Sequence, residues 1–174
     1  MARAGTSAIR ILGIDPGLET TGYGAVDIRG REAKVVEAGV IQTDRKAPMP
    51  ERLARLHAEL AELLGEVKPD LAAVEKLYAH YKHPRTAILM GHARGAILLA
   101  CAQAGVEVRD FPATMVKRAV TGNGHAGKHQ VQRAVRVLCQ LREIPEPPDV
   151  ADALAIALCA GRQVHELREA ETER

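Results

Sequence analysis

Tryptophan is absent from this 174-residue chain, phenylalanine occurs once and tyrosine three times, so aromatics make up only 2%. Any core must be aliphatic, which the 47% hydrophobic content allows, and a tyrosine in a loop stands out. Cysteine is scarce too. Cys101, Cys139 and Cys159 fall in apolar stretches without CxxC spacing, which argues against a disulfide scaffold or a thiolate metal site and fits buried thiols in a reducing compartment. No apolar run approaches membrane-spanning length, and MARAGTSAIR lacks the apolar stretch of a signal peptide. The expectation is a soluble, cytoplasmic protein. Excess charge of one sign is missing as well: the formal net charge is +2, so composition by itself points to no partner.

What is present is a regular alternation of short elements. Residues 9–14, 22–28 and 33–41 read as three strands joined by tight turns, an antiparallel meander. Leu53, Leu56, Leu60 and Leu63 then recur at helical spacing, with Gly65 as the expected stop. Leu71 to Val74 reads as a buried strand ending in Glu75. Pro84 opens a long helix to Ala104, closed by Gly105, and Val106 to Phe111 is a fifth strand. Residues 114–120 and 128–141 read as helices around the loop TGNGHAGK, and Pro147-Pro148 introduces a last helix, VADALAIALCAG. A mixed sheet with crossover helices is an α/β fold. The expected organisation is one domain over 9–161, followed by a charged, frayed tail over 162–174.

Charge is uneven along the chain. From Arg109 to Glu143 the bases are Arg109, Lys117, Arg118, Lys128, Arg133, Arg136 and Arg142, against Asp110 and Glu143 alone. Such a local field suits a polyanion, and equally an ordinary solvated helix face.

The acids are stranger. In ILGIDPG, residues 11–17, an apolar strand ends in Asp15 and a Pro-Gly turn follows at once. Asp15 shares its strand face with Gly13, whose missing side chain leaves open space beside it. Alone, Asp15 could be a turn-capping aspartate. Glu75 ends LAAV in the same manner and alone could be an acid at a wet strand end. Asp149 lies in the first turn of the last helix, where the dipole tolerates an acid. Asp152, one turn on and followed only by apolar residues, has no such excuse. Together these are four carboxylates from three elements. Their mutual repulsion calls for cations, and all-oxygen ligands favour Mg²⁺ or Mn²⁺. Two such ions roughly 3.5–4 Å apart can activate water and stabilise the leaving oxygen in phosphodiester cleavage.

GIDPGLETTGYG, VEKLY, HARGA, VKRAVTGNGHAGKHQVQ and DVADALAIA, in this order and at these spacings, resemble the bacterial RuvC Holliday-junction resolvases. The resemblance runs from about Ile11 to Cys159. It implies an RNase H-like fold with a five-stranded mixed sheet, three antiparallel strands then two parallel, flanked by helices. It implies a homodimer that nicks two strands of a four-way DNA junction symmetrically. It also implies Mg²⁺-dependent hydrolysis to 5′-phosphate and 3′-hydroxyl ends, with Mn²⁺ as a substitute, alongside the RuvA-RuvB branch-migration complex. Asp15, Glu75, Asp149 and Asp152 match the family's catalytic, metal-binding acids. Tyr78 matches an aromatic that stacks on a junction base, and Lys117 and Lys128 match basic residues of DNA contact or catalysis. Members of the family often carry Gln where this chain has Lys76, Phe where it has Tyr78, and some have His where it keeps Asp149. His80, Tyr81, Lys82 and His83 form an unusually basic, ring-rich loop.

Gly122, Gly124 and Gly127 would let the backbone approach DNA closely. Arg133 and Arg136, on the polar side of their helix, suit phosphate contact or plain solvation; Arg133 is taken as a DNA-binding candidate. His125 and His129 flank glycines rather than a zinc helix. Gly91 and Gly95 in the long helix suit tight packing or a dimer seam. Three other functions compete: an ATP-handling enzyme of the actin and sugar-kinase type, a junction binder without chemistry, and a related RNase H-like nuclease acting on other branched or RNA-containing substrates. The first needs two lobes, and 174 residues hold one; the intact acids argue against the second.

Overall fold

The structure is a computed structural model and describes residues 7–77 and 84–172. Its elements are β1 (Ile9–Asp15), β2 (Thr20–Arg29), β3 (Glu32–Gln42), α1 (Met49–Val67), β4 (Leu71–Glu75), α2 (Pro84–Gln103), β5 (Glu107–Phe111), α3 (Ala113–Thr121), α4 (Lys128–Leu138) and α5 (Pro148–Thr172). One sheet runs in the order β3-β2-β1-β4-β5. Its first three strands are antiparallel, and β4 and β5 lie parallel to β1 and to each other. This is the expected mixed sheet. Central β1 is apolar on both faces because both are covered.

The two coverings differ in composition. Leu12, Ile14, Ala72 and Val74 point to one side, where they meet Leu56, Leu60, Leu63 and Leu64 of α1 and Ile97 of α2. Ile11, Val26, Ala73 and Phe111 point to the other, against the alanine-rich α5, with α3 and α4 packed outside it through Val116, Val120, Val131 and Val135. Glycines replace large side chains where α5 crosses β1 and β2. A Cβ on Gly13 would stand 2.0 Å from the Ala153 carbonyl oxygen, and one on Gly22 would stand 2.2 Å from that of Asp149. The open space expected beside Gly13 is therefore filled by the backbone of α5.

Other boundaries also depart from expectation. Gly65 does not stop α1. The helix continues to Val67 and ends on Lys68, which takes a left-handed φ of 49° and returns its N–H to the Leu64 carbonyl. Gly161 does not end α5 either. A Cβ there would lie 2.0 Å from Ile28 Cδ1, so this glycine is a packing contact rather than a helix stop. Beyond it Val164 still packs on the core and Arg162 donates to the Ala119 carbonyl. Residues 162–172 thus continue α5. Conversely α4 ends at Leu138, three residues early. Gln140 turns left-handed at φ 53°, and the Leu141 N–H folds back to the Arg136 carbonyl at 2.9 Å. The three cysteines are free and buried, and burial pushes their thiols up to about 11, which leaves them unreactive at neutral pH.

Candidate active site

Because β4 runs parallel to β1 and pairs with it, Asp15 and Glu75 finish neighbouring strands at the same end of the sheet. α5 begins at that end. Asp15 pairs across the sheet with Gly22, and Gly22 is the residue on which the Asp149 backbone rests. Asp152 follows one turn later, just before the Ala153 carbonyl that fills the gap at Gly13. The small residues of β1 and β2 thus do chemical work at a distance: they let a helix carrying two acids come down beside a strand carrying a third.

The electrostatics register this gathering. The Asp15 carboxyl is pushed up to about 8, first by burial and then by Glu75, Asp152 and Asp149, with Lys128 partly opposing. Glu75 is raised by burial and by Asp152, against Lys117. Asp152 is raised by burial; Lys128 pulls it back, Asp149 adds to the rise and Lys117 opposes it. All four expected acids therefore share one field, and Lys117 of α3 and Lys128, the first residue of α4, face the same field. Among the described residues, two cations face four acids there, an excess of negative charge. Among the described residues no group of three or more His, Cys, Asp or Glu side chains stands arranged to hold a metal ion. The donor set itself fits a hard divalent ion: it is all carboxylate, and the described lysines offset only part of its charge.

The turn after Asp15 is held from several sides. The Thr21 hydroxyl donates to the Gly17 carbonyl at 2.6 Å. The buried Thr43 hydroxyl donates to the Leu18 carbonyl, and Arg52 of α1 reaches Thr43 Oγ1 at 3.0 Å and the Leu18 carbonyl at 3.3 Å. At the end of β4, Arg94 of α2 donates to the Glu75 carbonyl at 2.9 Å and pairs with Asp110. Thr21, Thr43 and Arg52 are not marked by local sequence logic; Arg94 had a signal, as the arginine of HARGA in the middle of a mostly apolar helix.

The remaining expected contacts fall into three groups. Arg133 is exposed, five residues along α4 from Lys128, beside a hollow lined by Thr121, Asn123 and Gln130. Of the loop glycines, Gly122 caps α3 with φ 80° and Gly124 is buried where a Cβ would stand 3.0 Å from the Thr114 carbonyl oxygen, so both have structural reasons to be glycine; Gly127 stays exposed at the start of α4. Tyr78, with His80, Tyr81, Lys82 and His83, lies outside the described residues.

A meander of three strands continued by two parallel strands, with helices on both faces and acids gathered at one end, is an RNase H-like architecture. The yeast mitochondrial Holliday junction resolvase shares it at TM-score 0.69 with 13% identity, covering 94% of this chain and 82% of that one, a likeness of fold alone. T. thermophilus RuvC in complex with Holliday junction substrate superposes more closely, at TM-score 0.86 with 37% identity over 91% of this chain and 96% of that one. The family model for the crossover junction endodeoxyribonuclease RuvC matches residues 11–160. The RuvC enzyme of Rhodopirellula baltica is 53% identical over 158 residues, 91% of this chain and 88% of its own length. The chain belongs to the RuvC family of crossover junction endodeoxyribonucleases.

Proposed function

We propose that this protein resolves four-way (Holliday) DNA junctions in recombination and repair, cutting two strands by paired symmetric nicks and leaving 5′-phosphate and 3′-hydroxyl ends. The observation that carries this reading is the convergence of Asp15, Glu75, Asp149 and Asp152 on one end of the sheet, where burial and then the neighbouring acids push the Asp15 carboxyl up to about 8. These four acids are the catalytic residues and would hold Mg²⁺, or Mn²⁺ in its place, two ions per site. The bound ions would supply an activated water and counter-charge for the leaving oxygen. The chain's own groups do the rest. The packing around Asp15 leaves its side chain only partly open to bulk water. Lys117 and Lys128 offset part of the acids' repulsion and steer the DNA phosphate to the site. Tyr78 stacks on an unpaired junction base, and Arg133 meets the backbone further along α4.

Paired nicks need two sites related by a two-fold axis, hence a homodimer. α2 offers a surface for it. Ile88 and Leu99 are 60% and 52% exposed, and with exposed His92, Gly95 and Ala102 they repeat at the 4-3-4-3 spacing of a helix seam. The work is cytoplasmic, beside the RuvA-RuvB branch-migration complex; no described helix is long and apolar enough to cross a membrane.

The test is nicking of a synthetic four-way junction with and without Mg²⁺, next to duplex, DNA–RNA hybrid and single-strand substrates. Paired nicks on the junction alone support the proposal. A preference for hybrid or for other branched substrates would move the protein to a related RNase H-like activity. Asp152→Asn should stop cleavage and leave junction binding within about twofold, because the lost charge serves chemistry rather than docking. Full activity in that variant would remove the four-acid site.

A further inference from the structure

Arg94 is placed as a support, not as a surface cation. It adjoins the buried stripe of α2 formed by Ala93, Ile97, Ala100 and Cys101, and its side chain is only 14% exposed. Its two guanidinium arms go to different strands: Nη1 donates to the Glu75 carbonyl at 2.9 Å, and Nη2 donates to the Asp110 carboxylate. The β1–β4 ladder ends at Ile14 and Val74. Glu75 still pairs with Phe111 of β5, but it lies past the last β1 partner, so on the β1 side the ladder no longer holds it. On the other side the Lys76 N–H reaches the Phe111 carbonyl at 2.9 Å and ties the same residues to β5. A rigid, planar fork suits a bridge between two acceptors on neighbouring strands. Stability alone is a weak reason for it, since Asp110 is 44% exposed and such pairs contribute little.

We infer that Arg94 is a positioning residue for cleavage: by bridging the Glu75 carbonyl and Asp110, it fixes the backbone from which the Glu75 carboxylate faces Asp15 and Asp152. This rests on the reading of Glu75 as one of the four catalytic acids. Carboxylates that must share ions tolerate little displacement, and loss of a group that orients such a ligand typically costs about 10- to 100-fold in activity or metal affinity.

The experiment compares wild type, Arg94→Gln and Arg94→Lys in single-turnover junction cleavage, junction affinity, melting temperature and amide hydrogen exchange. Arg94→Gln should cut the cleavage rate by about 10- to 100-fold, leave junction affinity unchanged and speed exchange in the peptide spanning Val74 to Leu77, with the rest of the molecule unaltered. Arg94→Lys, which keeps the charge without the fork, should be intermediate in rate and in exchange, and it covers the case in which the glutamine variant folds poorly. Wild-type rates in both variants would overturn the inference, and so would faster exchange spread evenly over the whole molecule. Glu75→Gln separates the two readings. Wild-type cleavage in that variant would sink the four-acid site itself. An inactive Glu75→Gln beside fully active Arg94 variants would sink the role of Arg94 alone.

Discussion

Asp15 and Asp27 belong to adjacent strands of one sheet and meet opposite fates. Asp27 lies directly across from Arg10, which donates to its two oxygens at 2.7 and 2.9 Å; the carboxyl is held below its ordinary range, chiefly by those bonds. Arg10 extends the tie by donating to the Val67 carbonyl at 2.9 Å, and so fastens the end of α1 to the sheet. Asp15, toward the opposite end of β1, is pushed up to about 8 by burial and then by the acids beside it. The contrast separates two uses of one side chain. A carboxylate that braces the fold brings its own cation; under the proposed function, one meant for chemistry is left short of it, and that deficit would draw cations to the site.

The sharpest break of this contrast is functional. Asp15→Asn should lower junction cleavage by about 10²–10³-fold or more, whereas Asp27→Asn should stay within about twofold in rate and lose only ~0.5–1 kcal/mol of stability, as half-exposed ion pairs do. Comparable rate losses in the two variants, in the same nicking assay, would erase the distinction. Next in size is the packing that brings the acids together. Gly13→Ala forces a methyl group into the Ala153 carbonyl, so α5 must lift. The expected cost is about 1–3 kcal/mol or more, read as ~2–4 °C of melting temperature for each kcal/mol at this length, together with loss of cleavage as Asp152 moves off. An unshifted melting curve would contradict that packing.

The finest test is the sign of the pH response in metal-free protein. Asp15 has its folded value above its ordinary 3.8, so between roughly 3.8 and 8 the folded chain keeps a proton the unfolded chain has lost. Its contribution to stability is full below that window and fades as pH rises through it. Asp27, shifted downward, does the reverse: its contribution is present above the ordinary range and disappears as pH falls through its folded value. Melting curves from pH 4 to 8 should therefore fall less steeply in Asp15→Asn than in wild type, with the variant the more stable of the two at pH 8. Asp27→Asn should flatten the acid limb only. Added Mg²⁺ should raise the wild-type curve at pH 8 and leave that of Asp15→Asn nearly unmoved.

Much of this was legible along the chain. The five strands and the meander follow from alternation and turn residues. The anomaly of Asp152 follows from an acid on an apolar helix, and the order of the family motifs carries the resemblance. The misreadings have a common cause. Gly65 and Gly161 have the local look of helix stops, yet helix ends are decided by what the next turn can pack against, and Val67 and Val164 both find a core. Gly13 looks like vacant space because a sequence cannot show which backbone will occupy it. Arg52 and Arg94 act on carbonyls 34 and 19 residues away, and no local pattern announces such partners.

By itself the sequence determined which residues are out of place, because burying an acid without a cation is costly wherever it happens and an apolar setting is visible in one dimension. Only the tertiary structure decided that these acids are neighbours. That outcome depends on glycines at the β1–β2 crossing, which permit a backbone approach no side chain would allow, and close packing between distant segments is a property of the folded chain alone.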